Sequence, residues 1–173
     1  MPQVIIIAGP NGAGKTTFAR NYLTGPREHF AFVNADEIAR ATPPRAVRGA
    51  SADIQAARIM LERINSLVRA RADFAFETTL ATLSYSRKIT AWRRSGFVAT
   101  LIYLRLPSVE KSFERVRRRV LAGGHGIPED AIRRRFGKSS AYFENLYKSI
   151  VDRWYIFDST DGAFVQAASW DGK

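Results

Sequence analysis

Three observations along the chain predict an α/β fold of the P-loop NTPase type: a parallel sheet of five strands with helices on both faces, in three layers. Short apolar runs alternate with longer helical stretches, the order that βα units impose. A glycine-rich loop, Gly9-Pro10-Asn11-Gly12-Ala13-Gly14-Lys15-Thr16, joins the first apolar run to the first helical stretch. It completes the pattern G-x-x-x-x-G-K-S/T in the strand–loop–helix context that the pattern requires. Two acidic residues, Asp36 and Glu77, stand just past the second and third apolar runs, at the carboxyl ends where such sheets bind ligands.

The elements follow in order. Val4–Ala8 is the first strand, and Thr17–Leu23 the first helix. Ala31–Val33 is a short second strand. Asp36–Ala41 begins a helix that Pro43-Pro44 stops. Ser51 is placed to cap a long helix reaching about Ala72, with Ala57, Met60, Leu61, Ile64, Leu67 and Val68 on one face. Phe74–Phe76 is the third strand. Ser84 can cap a helix to Ser95 that Gly96 ends. Val98–Leu104 is the fourth strand. Ser108 can cap the next helix, whose Val109, Phe113, Val116 and Val120 keep helical spacing up to Gly123-Gly124. Pro128 suits the first turn of another helix, beside Glu129 and Asp130. Trp154–Phe157 is the fifth strand, and Ala163–Ala168 can add a short extra one.

Composition bounds the function. A chain of 173 residues fits one domain, here 1–173, with a sizeable core. Without cysteine, neither a disulfide framework nor a thiolate metal site is possible, and only His29 and His125 remain as imidazole ligands. No apolar run reaches membrane-spanning length, so a cytoplasmic location without membrane partners is the expectation. The net charge of +11, with 21 Arg against 6 Lys, suits polyanionic ligands, although the arginines are spread through the chain as a solvated basic surface would spread them.

The loop residues state the chemistry. Glycines let the backbone wrap a phosphate with its N–H groups, and the following helix adds its positive end. Lys15 supplies a point charge for the β- and γ-phosphates, and Thr16 a hydroxyl for Mg²⁺. Moving a phosphoryl group further needs a group to orient or deprotonate the acceptor and cations to meet the transferred charge. Asp36 is the candidate base, a role compatible with capping the helix at Glu37. Glu77, followed by Thr78-Thr79, suits either the acceptor's hydroxyls or Mg²⁺ through water. Arg115, Arg118, Arg119, Arg133, Arg134 and Arg135 flank Gly123-Gly124-His125-Gly126, the composition of a lid over a triphosphate at about 115–136, with His125 a lid contact. Periodicity does not separate the inward arginines from the solvated ones.

These stretches together resemble the zeta-toxin-like P-loop kinases. The resemblance rests on Gly9–Thr17 with Phe18, Phe32–Asp36, Phe76–Leu80, Leu104–Ser108, and Arg115-Val116 through Arg119-Val120. It continues over Gly123-Gly124-His125, Ile127-Pro128, Arg134-Arg135-Phe136 and Trp154–Ser159. It implies strand order 2-3-1-4-5, ATP and Mg²⁺ as cofactors, and Asp36 as general base. It also implies that Lys15 grips the phosphates, that Glu77 with Thr78 lies in the acceptor site, and that Arg119 and Arg134 contact the γ-phosphate. Toxin members phosphorylate the 3′-hydroxyl of a UDP-N-acetyl amino sugar; this chain is much shorter than they are. The leading expectation is therefore a small-molecule kinase, with UDP-N-acetylglucosamine a candidate acceptor. A polynucleotide 5′-hydroxyl kinase and a non-catalytic ATP-binding module paired with an antitoxin-like protein are the rivals.

Overall fold

The structure, a computed structural model, describes residues 1–41, 50–124, 126–160 and 162–172. The expected stop at Pro43-Pro44 and the lid contact His125 lie outside the described residues, as does the side chain of Ser51.

Six strands form one sheet: β1 (Gln3–Ala8), β2 (Ala31–Val33), β3 (Phe74–Thr78), β4 (Val98–Arg105), β5 (Arg153–Thr160) and β6 (Ala163–Trp170), in the order β2-β3-β1-β4-β5-β6. The first five run parallel; β6 pairs antiparallel with β5. The expected five-stranded order is thus present inside a six-stranded sheet. The addition is a hairpin partner, which needs only a tight turn, and Asp161-Gly162 supplies hairpin-turn chemistry in the sequence.

Side chains alternate across β1 and fill both faces. Val4, Ile6 and Ala8 join Phe74, Phe76, Leu101 and Tyr103 in one core, together with Met60 and Ile64 of α3 (Ala50–Arg69) and Ile89 and Trp92 of α4 (Ser84–Arg94). Ile5 and Ile7 join Ala75, Ile102 and Leu104 in the other, with Phe18 and Ala19 of α1 (Lys15–Tyr22). A strand buried on both faces reads as an unbroken apolar run, as Val4–Ala8 does. Completing the helices are α2 (Ala35–Ala41), α5 (Val109–Leu121) and α6 (Glu129–Asn145). Among the described residues no helix is long and apolar enough to cross a membrane.

Local expectations shift by a residue or two. Helix α1 opens at Lys15, behind a left-handed Gly14, so Lys15 and Thr16 sit in its first turn. Ser84 is the first residue of α4 rather than its cap, and its hydroxyl pairs with that of Thr82 at 2.8 Å. Pro128 is the cap of α6 rather than its first-turn residue. Ser108 does cap α5, accepting from the Lys111 N–H. On α3 it is Ala56, not Ala57, that is buried.

Candidate active site

The register brings the strand ends level: Ala8 lies beside Thr78 on one side and Tyr103 on the other, and Val33 beside Phe76. The segments leaving β1, β2 and β3 therefore meet at one edge of the sheet. A cavity of about 830 Å³ opens there, lined among others by Asn11, Gly12, Gly14, Lys15, Thr16, Thr17, Asp36, Glu77, Thr78, Arg119 and Arg134.

The loop's shape depends on its glycines. Gly9 has φ 146°, and a Cβ there would lie 2.5 Å from the Leu104 carbonyl oxygen, so the loop can leave β1 only without a side chain. Gly14 has φ 82°, and its Cα faces the Phe164 ring of β6, which a Cβ would approach to 3.1 Å. Gly9, Pro10 and the fully buried Ala13 shape the loop from outside the cavity, whereas Asn11, Gly12, Gly14, Lys15, Thr16 and Thr17 face into it. Lys15 Nζ donates to the carbonyls of Gly9 at 2.9 Å and Pro10 at 3.0 Å.

Thr16 and Glu77 form the second part. The Thr16 hydroxyl lies 2.9 Å from Glu77 Oε2 and 3.2 Å from Oε1. Burial pushes the Glu77 carboxyl above its usual range, opposed by Lys15 and by the Thr16 hydrogen bond. Burial likewise pushes the Lys15 amine below its usual range; the Glu77 and Asp36 carboxylates oppose this, and Arg119 and Arg135 add to it. A threonine hydroxyl beside a carboxylate at the cavity wall fits Mg²⁺, which favours oxygen donors and takes few from protein. The described residues contain no cluster of three or more His, Cys, Asp or Glu able to hold a metal. Thr78 lines the cavity too, with its hydroxyl accepting from the Leu80 N–H at 3.1 Å.

Asp36 stands in the first turn of α2. The cap of that helix is Asn34, whose Oδ1 accepts from the Asp36 N–H at 2.7 Å and the Glu37 N–H at 3.4 Å. The Asp36 carboxylate is therefore spared capping. Its side chain is 52% exposed and lies 3.8 Å from Arg119 Nη1.

Helix phase sorts the six clustered arginines. Arg115, Arg119, Arg134 and Arg135 line the cavity. Arg118 turns outward to Glu114, and Arg133 lies over the Phe113 ring at 5.2 Å. The cavity also gathers Arg20, which pairs with Glu37 at 3.5 Å, and Lys138, one helical turn beyond Arg134. Lys138 was foreseeable from that i,i+4 spacing. Arg20 was foreseeable in the same way, four residues after Thr16 on α1, whereas the choice of Asn34 over Asp36 as cap was not.

Residues 4–146 match the sequence profile of the family AAA_33, described as an AAA domain. The chain belongs to that AAA domain family. An uncharacterized protein of Haemophilus influenzae is 29% identical to it over 134 residues, which make up 78% of this chain and 92% of the relative. Among solved structures, one from the PezAT chromosomal toxin-antitoxin system of Streptococcus pneumoniae superposes with TM-score 0.70 at 19% identity, over 98% of this AAA domain chain and 72% of the other. One from the Pnkp1/Rnl/Hen1 RNA repair complex gives 0.67 at 20% identity, over 84% of this chain and 46% of the other. This AAA domain chain thus spans less than half of that RNA repair chain. Both likenesses are of fold: an α/β domain with the glycine loop after its first strand.

Proposed function

We propose that the chain is an ATP-dependent phosphotransferase that moves the γ-phosphoryl group to a hydroxyl of a small molecule, as the zeta-toxin-like kinases it resembles do. One observation carries the reading: Lys15, Thr16, Asp36, Glu77, Arg119 and Arg134, drawn from distant parts of the chain, line one cavity beside the glycine loop. A bare nucleotide-binding module has no need of a carboxylate such as Asp36, in the cavity and spared from capping its helix.

In this reading the amides of Gly12, Gly14, Lys15 and Thr16 hold the triphosphate beside Asn11 and Thr17, and Gly9, Pro10 and Ala13 keep the loop in shape around it. Asp36 takes the proton of the acceptor hydroxyl as its oxygen bonds to the γ-phosphorus, and the β–γ bridging oxygen leaves with ADP. Lys15, Arg119 and Arg134 offset charge on the transferred group, the last two from a lid spanning about 115–136 of a single domain. Glu77 and Thr78 orient the acceptor. Mg²⁺ would be held by Thr16, with Glu77 behind it, and would offset charge on the β- and γ-oxygens.

UDP-N-acetylglucosamine is the first acceptor to assay. An antitoxin-like protein partner, supported by the likeness to the PezAT structure, belongs to the same reading, as does a cytoplasmic setting. The test is transfer of labelled phosphate from ATP into a metabolite pool by wild type and Asp36→Asn. We expect kcat to fall at least about a hundredfold in the variant, with nucleotide affinity kept within a few fold. Transfer at the wild-type rate would sink the base assignment. A second reading, a kinase of 5′-hydroxyl polynucleotide ends, draws on the +11 charge and the likeness to the RNA repair structure. Phosphorylation of a 5′-hydroxyl oligonucleotide in the same assay would favour it.

A further inference from the structure

Helix α5 does more than carry an arginine to the cavity. Its residues Ser112, Arg115 and Arg119 follow one another along one face. The fully buried Ser112 hydroxyl donates to the Asn11 carbonyl oxygen. Arg115 Nη1 donates to the Gly12 carbonyl oxygen at 3.3 Å and to Ser159 Oγ at 2.7 Å, and Arg115 Nη2 to the Ser159 carbonyl oxygen at 3.1 Å. The approach is close: a Cβ on Gly12 would lie 3.0 Å from Arg115 Cβ and 3.1 Å from the Ser112 carbonyl oxygen.

A trans peptide is planar, with C=O and N–H pointing opposite ways. A carbonyl held toward α5 therefore turns the next N–H away from it. Ser112 does this to the Asn11–Gly12 peptide and sets the Gly12 amide. Arg115 does it to the Gly12–Ala13 peptide, whose N–H closes a turn on the Pro10 carbonyl oxygen at 3.2 Å. That second peptide is thus pinned at both ends, and Arg115 is itself pinned to buried Ser159 at the end of β5. The left-handed half of the loop, the part glycine leaves loose, is held by a helix and a strand from elsewhere in the chain.

We infer that Ser112 and Arg115 are positioning residues of the donor phosphate site: they orient the peptide planes of the glycine loop so that its amides meet phosphate already arranged. Arg115 then differs in kind from Arg119, one turn on, which faces Asp36. The inference rests on the reading of the loop as a phosphate site, and it goes beyond that reading in assigning the loop's shape to α5.

The probe is inorganic tripolyphosphate, which has no base or sugar to bind elsewhere. Its affinity, and that of MgATP, is measured by calorimetry at fixed ionic strength for wild type, Ser112→Ala, Arg115→Lys and Arg115→Met, with thermal denaturation of each. Arg115→Lys keeps the charge and loses the two-pronged grip. We expect Ser112→Ala and Arg115→Lys each to weaken tripolyphosphate about tenfold or more while still unfolding cooperatively, and KM for ATP to rise more than kcat falls. Binding within twofold of wild type in both would overturn the inference. So would full affinity in Arg115→Lys with loss only in Arg115→Met, since charge alone would then suffice. If wild type itself fails to bind tripolyphosphate, the reading of the loop falls first, and the inference with it.

Discussion

Among single residues, Lys15, Thr16 and Glu77 act as one electrostatic unit. Burial lowers the Lys15 amine, and Glu77 is the strongest influence holding it up. Glu77→Gln removes that support, so the Lys15 amine gives up its proton at a lower pH. Plotted against pH, MgATP affinity should start its alkaline decline earlier in Glu77→Gln than in wild type; superimposable curves would disprove the coupling. Stability carries the same signature with its own sign. Because the folded Glu77 carboxyl titrates above its ordinary 4.5, the native state holds more protons than the unfolded chain from that pH up to the raised value. Wild type should therefore lose stability relative to Glu77→Gln as pH rises through this window. Both residues were legible in the sequence, Lys15 from its motif and Glu77 from its place after an apolar strand. That Thr16, the neighbour of Lys15, touches Glu77 was not, since sixty-one positions separate the two and only the β1–β3 register brings them together.

The elements show where sequence reading stops. Helix α2 starts one residue earlier than Asp36, because Asn34 and not Asp36 caps it. Both residue types cap well, so composition alone does not choose between them. The choice matters because the cap fixes the turn that carries Asp36. Asn34→Ala should cost about 1 kcal/mol of stability and lower kcat as that turn loosens, while Asn34→Ser, which keeps a capping oxygen, should recover most of both. Thermal unfolding and steady-state rates of the pair decide it, and an Asn34→Ala protein equal to wild type in both would remove the cap from the account. Sorting the arginines met a similar obstacle. Residue spacing sets which side chains share a face of α5 or α6, but the rotation of each helix comes from what it packs on. For α5 that is the glycine loop, through Ser112 and Arg115.

At the scale of the molecule, the parallel strands and both cores were legible because Val4–Ala8 and Phe74–Phe76 are apolar without interruption and Val98–Leu104 is broken only by Thr100, as strands of a sheet covered on both sides are. The orientation of β6 was legible too, not from Ala163–Trp170 themselves but from Asp161-Gly162 before them, a connection too short for a parallel crossover. The charge of +11 is the other molecular property, and it bears on the acceptor. Among the described residues, seven basic side chains (Lys15, Arg20, Arg115, Arg119, Arg134, Arg135 and Lys138) line the cavity against three acidic ones, Asp36, Glu37 and Glu77. MgATP answers some of this excess whatever the acceptor is. The acceptor's own share can be read from salt dependence, because each phosphate of a single strand that the protein neutralises contributes roughly −0.7 to the slope of log affinity against log salt. With ATP saturating, kcat/KM for a small hydroxyl acceptor should fall with a slope no steeper than about −2, a molecule of one or two phosphates having no more to offer. An oligonucleotide laid across the basic surface should exceed about −3. Steady-state rates over a range of KCl concentrations separate the two. A shallow slope with a metabolite acceptor supports the small-molecule reading, and a steep slope with an oligonucleotide as the better substrate would replace it.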